Sequence, residues 1–248
     1  PDPTVEENLK DLIQKMKTGK YDVGIAFDGD ADRIGVVDEK GDIIWADQLM
    51  ALFLPEIISP GDEILYDVKC SKSLEEMIVK YGGKPVMWKT GHSLVKQKMF
   101  DLDCKFGGEM SGHIFFADDY YGFDDGIYVA ARLLQTLSRS TKNLSELKDE
   151  LPKYFSTPEM RLEADSDEDK FRISKAAVEY FTKTYDCSTV DGVRINFEDG
   201  WGLVRASNTQ PVIVCRFEAT SLEKMEEYKN LVISKLNEIG DLRSDVGH

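Results

Sequence analysis

Apolar side chains at Leu9, Leu12, Ile13 and Met16 recur at helical spacing and predict an amphipathic helix over residues 6–17, ended by Gly19 and Lys20. An apolar run over 22–27 reads as a strand entering an acidic turn. Further strands are expected at 34–37 and 43–45, around a turn at 39–42. From Asp47 the texture alternates. Strands are predicted at 64–69, 85–89, 105–106 and 113–116, and helices at 73–80, 93–99 and 125–137. Such alternation favours a parallel or mixed sheet with helices on its faces, whose ligands gather beyond the carboxyl ends of the strands.

Past a stretch rich in turn formers (143–156) the order changes to a strand at 160–162, a helix at 170–184, strands at 193–197, 202–206 and 212–219, and a last helix at 222–239. The expected fold class is α/β: a mixed α/β sheet domain flanked by helices, then a smaller α+β domain with a mostly antiparallel sheet. Divisions are expected at 1–46, 47–153 and 154–248, with a hinge near 151–158. The acidic run from Asp165 to Asp169 is assigned to a helix cap and first turn, where carboxylates suit the helix dipole.

With 42% hydrophobic and 31% charged residues, the chain is globular rather than disordered. No apolar run approaches the roughly 20 residues of a membrane helix, and the first ten residues lack a signal-peptide core, so no membrane partner is expected. The net charge of -15 argues against a nucleic-acid partner, and an anionic ligand would need a local cationic pocket. Four scattered cysteines without a C-x-x-C pair fit reduced thiols and a cytoplasmic setting.

Four loops concentrate chemistry. In Asp28-Gly29-Asp30-Ala31-Asp32-Arg33, three carboxylates crowd one turn after an apolar strand and repel one another unless a cation neutralises them. Hard oxygen donors suit Mg²⁺, and Arg33 can fork onto a phosphate beside it. The same residues also admit a phosphatase with Asp28 as nucleophile and Asp30 as acid/base, an EF-hand lacking its usual glycine, or a solvated turn. Thr90-Gly91-His92 at a strand-to-helix junction exposes N–H groups to an anion and carries a histidine for proton transfer. Glu109, Ser111 and His113, bracketed by glycines, suit vicinal sugar hydroxyls and acid/base work. Arg205, Ser207, Asn208 and Thr209 gather one guanidinium and several neutral donors, as a phosphate dianion wants. Each of the last three also reads, taken alone, as an ordinary polar turn. Of three histidines, two lie in these loops, the third being His248.

Taken in order, Asp28 to Arg33, Gly108 to His113 and Arg205 to Thr209 resemble the α-D-phosphohexomutase family, of the bacterial phosphomannomutase/phosphoglucomutase type. The resemblance extends through Asp67-Val68-Lys69-Cys70, Trp88 to His92, Gly122-Phe123-Asp124-Asp125-Gly126 and Gly200 to Val204. It implies an isomerase that interconverts hexose 1- and 6-phosphates through a hexose 1,6-bisphosphate and an active-site phosphoserine. Under it, Asp28, Asp30 and Asp32 hold Mg²⁺, and Arg33 stabilises the transferring phosphoryl group. Glu109 and Ser111 grip sugar hydroxyls, while Lys69, Thr90, Gly91, His92 and His113 line the cleft. Arg205, Ser207, Asn208 and Thr209 seat the phosphate that is not reacting. Met110 is similar to the dual mannose/glucose enzymes, and Asn208 speaks against the glucosamine branch.

The family has four domains. The resemblance places 1–46 at the end of the second, 47–153 in the third and 154–248 in the fourth. The domain with the phosphoserine loop is expected to be missing, so the chain is expected to be inert alone and to need the N-terminal domains as partners. A Mg²⁺-dependent phosphatase using Asp28, or a non-catalytic sugar-phosphate-binding module, are the alternatives.

Overall fold

The computed structural model describes residues 2–240 and 242–244; His248 lies outside them. The chain divides into two compact units, 1–152 and 153–248, and the expected division at 46/47 falls inside the first.

The first unit begins with a 3-10 turn (Glu6–Leu9) running into helix α1 (Lys10–Met16), with Leu9 and Met16 almost wholly buried. Strands β1 (Val23–Phe27), β2 (Ile34–Asp38) and β3 (Ile43–Ile44) form a three-stranded antiparallel sheet in that order. Alternation along β2 sends Val37 to α1 and Val36 to the opposite face, so the sheet is covered on both sides. Asp38 closes the β2–β3 turn by accepting the N–H groups of Lys40 and Asp42.

Helix α2 (Ala46–Ile57) occupies a segment for which no element is predicted from the sequence. Nine of its twelve residues are buried, so the two-faced pattern that marks a surface helix is missing. Pro55 adds a breaker signal, yet its place near the end leaves the last turn intact, with Ile58 N–H bonded to Leu54 O at 3.0 Å. Next come β4 (Glu63–Asp67), α3 (Lys72–Lys80), β5 (Lys84–Trp88), α4 (His92–Leu102), β6 (Phe106–Gly108), β7 (Ile114–Phe116) and α5 (Gly126–Arg139).

The strand order is β5-β4-β6-β7, with β4 parallel to β5 and β6, and β7 antiparallel to β6. This is the expected mixed sheet. Ile64 and Tyr66 point into the core shared with α2, α3 and α5, while Leu65 points to α4 with Val95 and Met99. Ile34, Val36 and Ile44 of the first sheet join the former core, which welds the two sheets into one body. At its centre Phe53 of α2 meets Phe106 and Phe116 edge-on at centroid distances of 6.2 and 5.2 Å.

The stretch 143–156 is more regular than its turn-forming residues suggest. Asn143 and Glu146 form a capping box on α6 (Leu144–Asp149), and β8 (Phe155–Ser156), itself within the second unit, pairs with a strand there, so the segment expected to hinge is part sheet.

The second unit contains β9 (Met160–Glu163), α7 (Asp167–Phe181), β10 (Cys187–Ser188), β11 (Val193–Asn196), β12 (Gly200–Ala206), β13 (Val212–Ala219), α8 (Leu222–Ile239) and β14 (Arg243–Ser244). Their order is β10-β11-β12-β13-β9-β14, β8 also pairing with β13, and every described pairing is antiparallel. Both helices cover one face, around Ile173, Phe181, Val204, Phe217, Tyr228 and Leu236. Ser166 caps α7 by accepting Asp169 N–H, so the acidic run serves the helix start as expected.

Phe53→Ala is expected to destabilise the first unit by about 3–5 kcal/mol, because two ring contacts and the buried volume are lost together. Urea denaturation measures it.

Candidate functional site

In the first unit the acidic loop joins β1 to β2, a strand hairpin, which excludes the EF-hand reading with its flanking helices. Asp28 Oδ1 accepts Arg33 N–H at 3.1 Å and folds the loop back, while Ala31 takes a positive φ of 60° at its tip. Asp28, Asp30 and Asp32 offer oxygens within 4.8 Å of one another. Burial, then the charges of Asp28 and Asp30, push the Asp32 carboxyl above its ordinary range. Three carboxylates gathered this closely fit a hard cation.

Two backbone contacts fix this loop to its neighbours. Ile34 N–H donates to Gly112 O at 3.2 Å, and Gly126 N–H donates to Ala31 O at 2.9 Å. Both approaches need glycine. A β-carbon on Gly112 would lie 2.9 Å from Ile34 O, and one on Gly126 2.8 Å from Arg33 O.

The turn 109–113 joins β6 to β7 and is closed by Glu109 N–H to His113 O at 2.8 Å and Gly112 N–H to Glu109 O at 3.1 Å. Glu109 is 1% exposed, and its Oε1 accepts Gly91 N–H at 2.6 Å. Burial, helped by the Asp67 charge, pushes its carboxyl up to about 7, against the pull of Gly91 N–H and Lys69. Ser111 is half-buried at the same turn. Thr90 Oγ1 donates to Asp67 Oδ2 at 3.1 Å, and Lys69 Nζ lies 3.9 Å from the same oxygen.

The histidines meet the acidic loop. Arg33 Nε donates to His113 Nε2 at 3.1 Å and lies 3.4 Å from Asp28 Oδ2, while its Nη1 donates to Asp2 at 3.0 Å. Burial first, then Arg33, pushes His113 down to about 4, so at neutral pH the ring is uncharged with its proton on Nδ1. His92 stacks on His113 at 5.3 Å between centroids, its Nδ1 3.0 Å from Asp124 Oδ2.

Asp28, Asp30, Asp32, Arg33, Lys69, Thr90, Gly91, His92, Glu109, Ser111 and His113 thus belong to adjoining loops of one unit. Two residues outside the expected set stand among them. Asp124 takes Lys96 Nζ on one oxygen at 2.7 Å and faces both histidines with the other. Burial raises the Asp124 carboxyl, but Lys96 and His113 outweigh it and hold the group below its usual range. Asp67, wholly buried, collects Cys70 Sγ, Thr90 Oγ1 and Met110 N–H. Both lie in motifs quoted above, Asp67 beside Lys69 and Asp124 beside the helix-capping Asp125; what the sequence does not display is which carboxylate turns inward.

Arg205, Ser207, Asn208 and Thr209 lie in the second unit, at and after the end of β12. Arg205 is 5% exposed, and its Nε donates to Asp191 at 2.9 Å. Ser207 Oγ accepts the N–H groups of Thr209 and Gln210, both at 3.3 Å. Lys170, almost wholly buried, donates to Gln210 O at 2.9 Å and holds the turn from below. Asn208 and Thr209 are exposed.

Three phosphoglucomutase/phosphomannomutase family models match in chain order: alpha/beta/alpha domain II over residues 1–41, alpha/beta/alpha domain III over 45–155 and the C-terminal domain over 157–235. The chain belongs to this family. It is 48% identical over 242 residues to the phosphomannomutase/phosphoglucomutase of Pseudomonas aeruginosa, covering 96% of this chain and 52% of that one. To the phosphoglucomutase of Neisseria gonorrhoeae it is 44% identical, covering 93% and 51%. A phosphoglucomutase/phosphomannomutase family crystal structure from Burkholderia thailandensis superposes with a TM-score of 0.86 at 44% identity, over 98% of this chain and 53% of that one. The chain therefore spans about half the length of the relatives it matches.

Two outcomes are expected from these loops. Gly112→Ala should destabilise the first unit by about 1–2 kcal/mol from its positive φ alone, and by more once the overlap with Ile34 O is included. Calorimetric unfolding measures it. Glu109 binds its proton more tightly folded than unfolded, so its contribution is complete below pH 4.5 and is lost as pH rises through about 7. The loss is on the order of 3 kcal/mol. Glu109→Gln should match the parent chain near pH 4.5 and exceed it in stability at pH 8, in urea titrations at both.

Proposed function

We propose that this chain supplies the metal-, sugar- and phosphate-binding half of a phosphohexomutase that interconverts hexose 1-phosphate and hexose 6-phosphate, of mannose and glucose. The observation that carries the reading is the joining of the three-carboxylate turn to Glu109 and His113 by backbone contacts within one unit. A cation, a sugar and a proton-transfer group are thereby offered adjoining positions. The names of the Pseudomonas and Neisseria relatives support the substrate class.

Asp28, Asp30 and Asp32 would hold Mg²⁺, which when bound supplies positive charge beside a phosphoryl group. Arg33, set by Asp28 and His113, adds a guanidinium where phosphoryl charge develops. Glu109 and Ser111 accept and donate to sugar hydroxyls, with Lys69, Thr90 and Gly91 along the wall. His113, uncharged at neutral pH, would take a proton at Nε2 once Arg33 withdraws its N–H from that nitrogen, and His92 lies stacked beside it. In the second unit, Arg205, Ser207, Asn208 and Thr209 offer donors to the phosphate that is not transferred. The phosphoryl donor would be a phosphoserine of the remaining half of such an enzyme, which also makes that half a partner. The same reading carries a cytoplasmic setting with it.

The test is a chimera in which this chain replaces the matching half of the Pseudomonas aeruginosa relative. Conversion of mannose 1-phosphate to mannose 6-phosphate is expected. Glu109→Ala should lower kcat/KM about 10²–10⁴-fold through two charged hydrogen bonds of about 1.5–3 kcal/mol each. Arg205→Ala should act chiefly on KM. A folded chimera without turnover, or one indifferent to both changes, overturns the reading. The 248-residue chain by itself should be silent. Mg²⁺-dependent phosphate release from it, abolished by Asp28→Asn, would favour the phosphatase instead.

A further inference from the structure

Between the histidines and the acidic loop lies a second group of donors of different character. Asp32, His92 and Asp124 each bring one ligand atom within 4.8 Å of the others. We propose that Asp32, His92 and Asp124, with His113 as fourth donor, form an inhibitory site for a transition-metal ion of the zinc type, sharing Asp32 with the three-carboxylate site.

The donor set separates the two sites. Asp28, Asp30 and Asp32 offer oxygen alone, the choice of Mg²⁺, whereas two imidazoles with two carboxylates make the mixed N/O set that zinc takes in tetrahedral geometry. Bonds of 2.0–2.1 Å in a tetrahedron put neighbouring donors about 3.3 Å apart. His92 Nδ1 lies 3.0 Å from Asp124 Oδ2, and His113 Nδ1 lies 3.3 Å from Asp124 Oδ2 and 3.7 Å from Asp32 Oδ2. Three of the six edges therefore already stand near the required length.

A second observation points at a ligand. His113 is 5% exposed, and its Nδ1, buried among these oxygens, is out of line for a hydrogen bond with any of them. A buried ring nitrogen left in that condition calls for an occupant. Lys96 bonds Asp124 through Oδ1 and leaves Oδ2 turned towards the histidines.

Occupancy has two consequences. A metal on His113 Nδ1 moves the ring proton to Nε2, where the N–H of Arg33 now points, so Arg33 must let go. Asp32 also leaves the carboxylate turn. One bound ion would thus disable the Mg²⁺ site, the guanidinium and both histidines, and the two cations would exclude each other. Inhibition rests on the mutase reading, whereas occupation of the site does not and is tested by binding alone.

The experiment titrates the 248-residue chain with Zn²⁺ against a chromogenic chelator, with Co²⁺ as a spectroscopic reporter. One ion per chain is expected. Co²⁺ should give the intense visible bands of a tetrahedral site rather than the weak ones of octahedral oxygen coordination. His92→Gln and Asp124→Asn should each weaken Zn²⁺ at least tenfold, while Asp30→Asn retains it and excess Mg²⁺ displaces it. His92 is half-exposed, so its replacement leaves the fold in place, and circular dichroism verifies both variants. The absence of stoichiometric binding, a smaller loss in either variant, or loss in Asp30→Asn with retention in His92→Gln overturns the proposal.

Discussion

The metal loop must hold three carboxylates against their mutual repulsion before any cation arrives, and the structure does this with backbone. Ile34 N–H to Gly112 O and Gly126 N–H to Ala31 O tie the β1–β2 hairpin to the turn after β6 and to the start of α5. Hydrogen bonds of this kind are worth about 1 kcal/mol each, little beside the like-charge cost within the turn. Their force lies in geometry. Because both partners are glycines at closest approach, the loops cannot drift apart without opening a gap over buried backbone. Glu109 and the three aspartates therefore move as one piece.

Charge inside that piece is arranged in opposed layers. Asp67 and Glu109 are buried acids and Asp124 a partly buried one, and Lys69, Lys96 and Arg33 stand against them. Asp124 is held ionised by Lys96, but Glu109 receives only one N–H and the more distant Lys69, and so rises towards 7. Two carboxyls a few residues apart in space are thus driven in opposite directions by their neighbours. A group poised near neutrality can both accept from and donate to a hydroxyl. The overall charge of -15 works against anion capture at long range, so affinity for phosphate must come from contact donors.

Most of this was legible in the chain itself. Loops whose chemistry depends on residue type at short spacing, such as Asp28 to Arg33 and Glu109 to His113, announce themselves because nothing in a fold's interior needs that density of charge. Helix α2 was not legible, since burial on nearly every side erases the periodicity by which a helix is recognised, and Pro55 points the wrong way. Helix α6 was hidden for a different reason: it is six residues long, and its cap residues are also turn residues. Asp124 and Asp67 show the remaining limit. Asp124 adjoins Asp125, and it is the latter that caps α5 by accepting Tyr128 N–H and takes Tyr120 Oη as well. Only the path of the chain turns one of the pair to the helix and the other to the histidines.

The Arg205–Thr209 loop of the second unit carries the same logic. Asp191 takes Arg205 through Nε, which fixes the plane of the guanidinium and leaves a terminal nitrogen, Nη2, buried without a partner. A lysine would offer three rotatable donors on one point charge, without the fixed planar fork that holds one edge on Asp191 while another faces elsewhere. The backbone completes the arrangement, because Ser207 Oγ gathers two N–H groups of the turn and Lys170 anchors Gln210 O beneath it. The unit therefore carries a preset fork, one nitrogen of which is already desolvated and unpaired.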